Sequence, residues 1–476
     1  MAAKTYVEEL AEFVDERKYS DLSDDAVAAM KLRVLDSIGC CLAALDGNPI
    51  QQVKAQVEQF GGRGPCTLIG GGQTAPDRAA FYNGALLRYV DFMDNYMGKK
   101  QSCHPSDNFA SVLAASEFAD CSGKEFLTSL ALAYAVEIKL IDLIPVEEKG
   151  FDHTVHLAYS MTAGVSRALG STKEETANAL GMAGTIFQGL VTSRSGYLSQ
   201  LKGLASCILA QGVMNTAFLG MRGVTGPLQV LEGKRGLMEA LGLKAKIEWD
   251  KEDMNAVLRT SVKGYNAEVH SQSTIEGVLE LKKEHPFAAE DVEKIDIEIF
   301  KQAFTIIGEG EEAGDKHDVH SKEQADHSLP YIVAVAILDG EVTPRQYTPE
   351  RIIREDVQDL LKKVRVGTKA NIGKHAFNVL DTYTARYPDE MPCKITVHLA
   401  HGQELECEKS DYEGFFARPM PREKVVSKFQ RISEPHADAA LLREIEKAVD
   451  SLESIQVKDL TALLARVRAG GQPSEG

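Results

Sequence analysis

The chain has 476 residues, a formal net charge of -17, and 44% hydrophobic and 26% charged residues. That length exceeds what one compact core fills, so two domains are expected. The acidic balance argues against a nucleic-acid partner, which needs a net basic footprint, and requires a locally basic pocket for any anionic substrate.

Residues 5–18 read as a helix that starts directly after Met1-Ala-Ala-Lys4, with no apolar or arginine-rich leader. No window reaches eighteen uninterrupted apolar residues, so no membrane span is predicted and a cytoplasmic protein is expected. Ser23 caps the next helix, whose first turn carries Asp24 and Asp25 and whose apolar residues Val27, Met30, Val34, Ile38, Cys41 and Leu45 recur at helical spacing. A short helix and an extended piece at 66–69 follow. Gly70, Gly71 and Gly72 read as a plain turn, since neither GxxxxGK[ST] nor GxGxxG is present.

The helix after Pro76 keeps its rhythm through Tyr82, Ala85, Leu86, Tyr89 and Val90. Extended to Asn95, it puts Asp91, Asp94 and Asn95 on one face. The chain leaves through Met97-Gly-Lys-Lys100, passes His104, and restarts after Pro105 with Ser106 or Asp107 as N-cap of a helix over 109–118. Alanine-rich helices are predicted at 107–119, 123–144, 152–169, 172–188 and 199–221.

After about residue 260 the pattern changes. Residues 292–300, 394–399 and 404–407 alternate apolar and polar, the last two as a hairpin around Ala400-His-Gly-Gln403, with helices near 272–284, 323–338 and 355–363. Beyond Pro421 the pattern is helical again at 422–431 and 436–466, and the tail from Gly470 reads as disordered. The expected fold is α+β: a large all-α domain of residues 1–262 and 411–476, with a smaller α+β module, 263–410, inserted between.

Four further stretches concentrate polar groups. Asp152-His153-Thr154 sits at a helix start, where His153 is either a catalytic base or a capping-loop histidine. Arg194 and Lys202 flank a Ser/Gly-rich approach and read as carboxylate anchors or as a solvated turn. Lys263, Glu268, His270 and Gln272 lie where the fold type changes. Asp326-His327 precedes an apolar helix, and His327 reads as a structural histidine. Eight scattered cysteines without CxxC, and no HExxH or GxSxG, leave metal-free acid–base chemistry on a small anion. Cys103 beside His104 is set aside as a nucleophilic pair, because adjacent side chains rarely face each other.

Six segments together resemble the MmgE/PrpD family: Arg88 to Asp94, His104-Pro-Ser-Asp-Asn108, Gly150-Phe-Asp-His-Thr154, Ser199 to Gly203, Gly226-Pro227 with Glu232-Gly233, and Ala325 to Tyr331. The likeness runs from about residue 5 to 465. It implies a helical domain with an α+β lid, a homodimer, no metal or organic cofactor, and a small polycarboxylate substrate. The activities it implies are dehydration of 2-methylcitrate, with epimerisation of a dicarboxylate such as iminodisuccinate or decarboxylation of cis-aconitate as alternatives, and a non-catalytic binding protein as the remote one. Matching motifs make Asp91, His104, His153, Lys202, Lys263 and His270 the catalytic set, and Asn95, Arg194, Glu268 and Gln272 substrate contacts. Asn95 stands where the family usually has threonine. The histidine of the decarboxylase pattern Lys-x-Phe-Pro-Ala-His would fall at Glu268, and a decarboxylase tyrosine falls near Phe304, so the dehydratase or an epimerase is favoured. In that reading one of His104 and His153 is the base and the other the acid, Asp91 orients one of them, and Lys202, Lys263 and Arg194 stabilise developing negative charge.

Overall fold

The computed structural model describes residues 4–469 except 197, 310–313 and 368–381; the expected disorder of the tail lies outside them. The chain divides into two compact units. One comprises 1–192, 203–261 and 421–476, and the other 193–202 and 262–420. The first is helical and draws on both ends of the chain; the second is an inserted α+β unit. Among the described residues no helix is long and apolar enough to cross a membrane.

The helical unit contains α1 (Tyr6–Glu16), α2 (Asp24–Ala43), α3 (Asn48–Phe60), α4 (Pro76–Tyr89), α5 (Phe109–Phe118), α6 (Gly123–Leu143), α7 (Thr154–Ala168), α8 (Lys173–Ile186) and α9 (Ala205–Met221). Their starts follow the local chemistry. Thr5, Ser23, Ser122 and Thr172 each accept a hydrogen bond from the backbone three residues on, satisfying donors that a helix start leaves open. Helices α5, α6, α7 and α9 are lined by alanine and glycine, so they pack closely. A Cβ on Gly164 of α7 would meet Val112 of α5 at 2.8 Å and the Ser129 carbonyl of α6 at 2.9 Å. The helix Arg422–Ser433 packs on α2, and Val457–Leu464 on α5.

Two short hairpins join these helices: β1 (Cys66–Thr67) with β2 (Gln73–Thr74), and β3 (Tyr96–Met97) with β4 (Ser102–Cys103). Gly70, Gly71 and Gly72 all have positive φ in the first, the plain turn expected of them.

In the inserted unit, β5 (Val292–Ile299) pairs parallel with β6 (Val364–Gly367) and antiparallel with β7 (Cys393–Leu399), which pairs with β8 (Glu404–Lys409). The sheet order is β6-β5-β7-β8. Helices Gln272–Glu284 and Leu329–Asp339 cover it, packing over inward residues such as Ile295, Ile297 and Val397. On β5, Asp296 pairs instead with Lys294, Arg365 and His398. The alternating strands and their hairpin lie where the sequence pattern put them, within a residue or two.

Candidate active site

The exit of α4 differs from its sequence reading. The helix ends at Tyr89, and Asp91 takes φ +56°. Aspartate tolerates this left-handed geometry better than most residues, because its short side chain bonds locally. Here the Asp91 carboxylate pairs with the buried Arg88 guanidinium three residues back. Asp91, Asp94 and Asn95 therefore do not share a helix face. The apolar run misled because Val90, Phe92 and Met93 are all buried, on a loop enclosed by protein and not on one stripe of a helix.

Arg88 organises this corner. Its Nε lies 3.7 Å from Asp107 Oδ2. Burial alone would lower its pKa, but Asp91, then Asp107 and Asp152, hold it above the ordinary arginine value. Asp107 lies in the turn Pro105–Asn108, and neither it nor Ser106 caps α5, which starts at Phe109 without a side-chain cap. Asp107 Oδ1 instead accepts from Ser206 Oγ at 3.3 Å.

Two histidines flank this corner, their ring centroids 5.8 Å apart and edge-on. His104 follows the β3–β4 hairpin, and its Nδ1 lies 2.9 Å from the Asp94 carbonyl. A carbonyl only accepts, so Nδ1 carries the proton and a neutral ring keeps its lone pair on Nε2. His153, just before α7, places Nδ1 2.9 Å from Asp152 Oδ1 and Nε2 3.7 Å from Asp107 Oδ2. Asp152 is fixed in turn by its N–H donating to the Gly189 carbonyl at 2.9 Å and by Thr154 Oγ1 at 3.2 Å. The carboxylate on the His153 ring nitrogen is thus Asp152, its chain neighbour.

Asp94 supports the loop. It accepts from Ser106 N–H at 3.0 Å and Tyr134 Oη at 2.8 Å, with Arg33 Nε at 3.6 Å; burial raises its pKa against these partners. Asn95 exchanges backbone hydrogen bonds with Ser261, and its wholly buried side-chain amide has no hydrogen-bond partner among the described residues. Beneath the histidines, Glu137 of α6 accepts from Asn108 Nδ2 at 2.7 Å, and Asn108 Oδ1 accepts from Ser160 Oγ at 2.9 Å. Burial pushes the Glu137 carboxyl up to about 8, opposed by His153 and reinforced by Asp107. The Cys103 thiol is driven well up by burial, then by Glu137, which removes it as a nucleophile.

The inserted unit gathers a second set. Lys202, in the turn Gln200–Gly203, places Nζ 3.3 Å from His327 Nδ1. The same Nδ1 lies 2.6 Å from Asp326 Oδ1, and Lys322 Nζ lies 2.6 Å from Asp326 Oδ2. One ring nitrogen cannot donate to Asp326 and accept from Lys202 at once, so the shorter Asp326 contact sets the tautomer and the lysine serves as a charge alongside. Asp326 is held far below the carboxylate range: burial would raise it, but Lys322, Lys202 and His327 prevail. Ser328 caps the helix that follows, which fixes the direction of His327. This histidine therefore belongs to a charged network, and a purely structural reading of it is set aside.

Lys263 is wholly buried in the same unit. Glu268 Oε1 lies 2.7 Å from His270 Nδ1, and Oε2 accepts the His270 N–H at 2.8 Å. Burial would raise Glu268, but His270, then His327 and Lys263, hold it below its ordinary value. Lys316 is also buried; burial pushes it down to about 8 against the pull of Glu268 and Asp326. Gln272 uses its amide on the chain itself, accepting from Tyr265 N–H at 3.1 Å and donating to the Tyr265 carbonyl at 3.0 Å. Arg194 is half-buried in segment 193–202.

Each carboxylate of these two sets faces a cation or a donor: Asp91, Asp107 and Asp152 face Arg88 or His153, Asp326 faces Lys322 and His327, and Glu268 faces His270. One set offers paired imidazoles, the other lysine ammonium groups held in buried surroundings. Sequence reasoning missed Asp107, Asp152, Glu137, Lys316 and Lys322. The available signal was the Asp-His dipeptide, which occurs in both sets.

Two family models match the chain. The family model described as the MmgE/PrpD N-terminal domain matches residues 8–250, and the MmgE/PrpD C-terminal domain model matches 265–454. The chain is 27% identical to "2-methylcitrate dehydratase, mitochondrial" of Yarrowia lipolytica, over 72% of this chain and 68% of that protein. It is 26% identical to "2-methylcitrate dehydratase" of Salmonella typhimurium, over 70% and 71%. It is 23% identical to "Alkylcitrate dehydratase phiI" of a fungal species, over 93% and 90%. These names point to dehydratase activity in the family. With both domain models matched across nearly its whole length, the chain belongs to the MmgE/PrpD family.

Proposed function

We propose that the chain is a hydro-lyase that removes water from a hydroxylated polycarboxylate of the 2-methylcitrate or alkylcitrate class, using its own acid–base side chains. The relatives' names support the reaction. The observation that carries it in this chain is the pair of histidines 5.8 Å apart with unlike partners. His104 faces a neutral carbonyl and keeps Nε2 as a base. His153 lies between two carboxylates, which favour a charged ring, and is the acid. In the step, His104 Nε2 takes the proton next to a carboxylate, and the C–H electron pair becomes the new double bond. The C–O bond breaks, and the hydroxyl leaves as water with the His153 proton.

Negative charge builds on the substrate carboxylate as the proton leaves, and fixed cations stabilise it most where water is excluded. The resemblance assigns that cationic charge to Lys202 and Lys263, both buried in a chain whose net charge is -17. The buried amide of Asn95 suits a carboxylate oxygen. Roles for Arg194 and Gln272 as substrate contacts belong to the same reading.

The test is to incubate the protein with 2-methylcitrate and longer 2-alkylcitrates in deuterated water and follow the alkene by NMR. Water loss is expected from the unmodified protein, with kcat falling about 10²–10⁴-fold in His104→Asn and in His153→Asn. Deuterium uptake without alkene would replace the reading with an epimerase. Full activity in both folded variants would overturn the assignment of base and acid.

A further inference from the structure

Two buried side chains of α6 hold the segment that carries His104, and the proton transfers above use neither of them. Tyr134 and Glu137 lie three residues apart, so they share one face of the helix. They are 1% and 0% exposed. Tyr134 Oη donates to Asp94 Oδ2 at 2.8 Å. Asp94 then acts on His104 in two ways. Its carbonyl lies 2.9 Å from His104 Nδ1, and its Oδ1 accepts the Ser106 N–H at 3.0 Å, two residues beyond the ring. Glu137 holds the far side of the same turn. Its Oε2 accepts from Asn108 Nδ2 at 2.7 Å, and that Nδ2 also donates to the Pro105 carbonyl at 2.9 Å. The chain is thus tied at Asp94 before the histidine, and at Pro105, Ser106 and Asn108 after it.

Packing alone does not account for Glu137. Its Oε1 is buried with no hydrogen-bond partner among the described residues, and such a group costs stability that an apolar side chain would not. Burial pushes the carboxyl up to about 8, so at neutral pH it keeps its proton and serves Asn108 as a neutral acceptor, not as a counter-charge. Tyr134 is of the same kind. Phenylalanine would fill its space, and what the hydroxyl adds is the bond to Asp94. Both polar groups end on the segment that carries one ring. A base misplaced by about 1 Å loses on the order of 10²-fold in rate.

We infer that Tyr134 and Glu137 are positioning residues for His104, holding the chain on both sides of the ring so that Nε2 meets the proton it removes. The inference rests on the proposed elimination and deepens it. The base is directed from α6, within the helical unit, through Asp94 on one side and the Asn108 amide on the other. Neither Tyr134 nor Glu137 takes part in the proton transfer itself.

The experiment compares the unmodified protein with Tyr134→Phe, Glu137→Leu and Glu137→Gln. It measures kcat per folded molecule, KM, and the isotope effect with 2-methylcitrate carrying deuterium at the carbon that loses its proton. Misdirecting the base is expected to lower kcat about 10–10²-fold in Tyr134→Phe and in Glu137→Leu, with KM changed less than about threefold. The isotope effect should be at least as large as in the unmodified protein, because proton removal is the step slowed. Glu137→Gln keeps an acceptor for Asn108 and is expected to recover most of what Glu137→Leu loses. Either Tyr134→Phe or Glu137→Leu, folded and within about twofold of the unmodified kcat, overturns the inference. A fall in kcat with a smaller isotope effect overturns it too, since the damage would lie at another step. Equal loss in the leucine and glutamine variants does the same, because the carboxyl would then act through its proton and not through its hold on Asn108. If Glu137→Leu does not fold, Tyr134→Phe decides by the same measures. If the unmodified protein eliminates water and the variants are unimpaired, only the positioning role falls. If the unmodified protein eliminates water from neither 2-methylcitrate nor the longer 2-alkylcitrates, the proposed function falls and this role with it.

Discussion

Glu137 is wholly buried on α6, beside Asn108 and within reach of Asp107 and His153, and its carboxyl titrates near 8 where an unfolded chain would titrate near 4.5. Between those values the folded protein holds a proton that the unfolded chain has released. Stability from this group is therefore complete below about 4.5 and is lost as pH rises through about 8. Glutamine copies the protonated form and still accepts from Asn108. Glu137→Gln should melt close to the unmodified protein at pH 5 and above it at pH 8.5, with the gap widening by on the order of a few kcal/mol. Melting curves of the two proteins in matched buffers check this, since other titrations cancel in the difference. A constant gap across that range would mean that Glu137 is ionised in the fold. Residues of this kind were the hardest to read from sequence. Glu137 lies in Ala135-Val-Glu-Ile138, where one acid in an apolar run has no spacing to mark it. Asp152 and Asp326 stood in plain view beside His153 and His327. They were read only as neighbours at a helix start, yet there the backbone turns enough to bring each onto the adjacent histidine, within 2.9 and 2.6 Å.

Helix α6 begins with Gly123 against the C-terminal region of the chain. Its N–H donates to the Ile455 carbonyl at 2.9 Å, and a Cβ there would lie 1.9 Å from the Leu452 carbonyl oxygen. Two effects compete in Gly123→Ala. Helix propensity favours alanine by about 1 kcal/mol, whereas the collision forces backbone apart at a cost of about 1–3 kcal/mol or more. The contact is with backbone, which cannot swing aside, so the collision wins and the variant is expected to lose stability in urea denaturation. A gain would show that the chain end yields at this point. Elements of ordinary length were legible from their rhythm: α6, α7 and the β7–β8 hairpin follow from helical spacing, alternation and caps. The exit of α4 was not, because buried residues on both sides of a loop imitate a helical stripe, and β3 and β4, two residues each, are too short to show alternation. Composition alone marked the change from alanine-rich helices to alternating strands, which is why the α+β class could be read without a structure.

Across the whole molecule, the loop that orients the candidate base His104 is held by a residue from far along the chain. Lys428, on the helix Arg422–Ser433, is buried with Nζ 2.7 Å from the Phe92 carbonyl, 2.7 Å from Asp36 Oδ1, and 3.7 Å above the Phe92 ring. Phe92 follows Asp91, so a side chain 336 residues away in sequence clamps the loop that carries Asp91, Asp94 and Asn95. Lys428→Met keeps the apolar stem but strips the cation from buried Asp36. Breaking a buried pair in this way costs about 3–5 kcal/mol. The double variant Asp36→Asn/Lys428→Met removes the stranded charge and is expected to recover most of that stability. Activity should not recover with it, because the Phe92 carbonyl still lacks its donor and the loop beneath His104 remains unclamped. Melting curves and kcat measured on the three proteins separate the two effects. If stability and activity return together in the double variant, Lys428 acts only through Asp36 and the clamp on the loop is without consequence for the reaction.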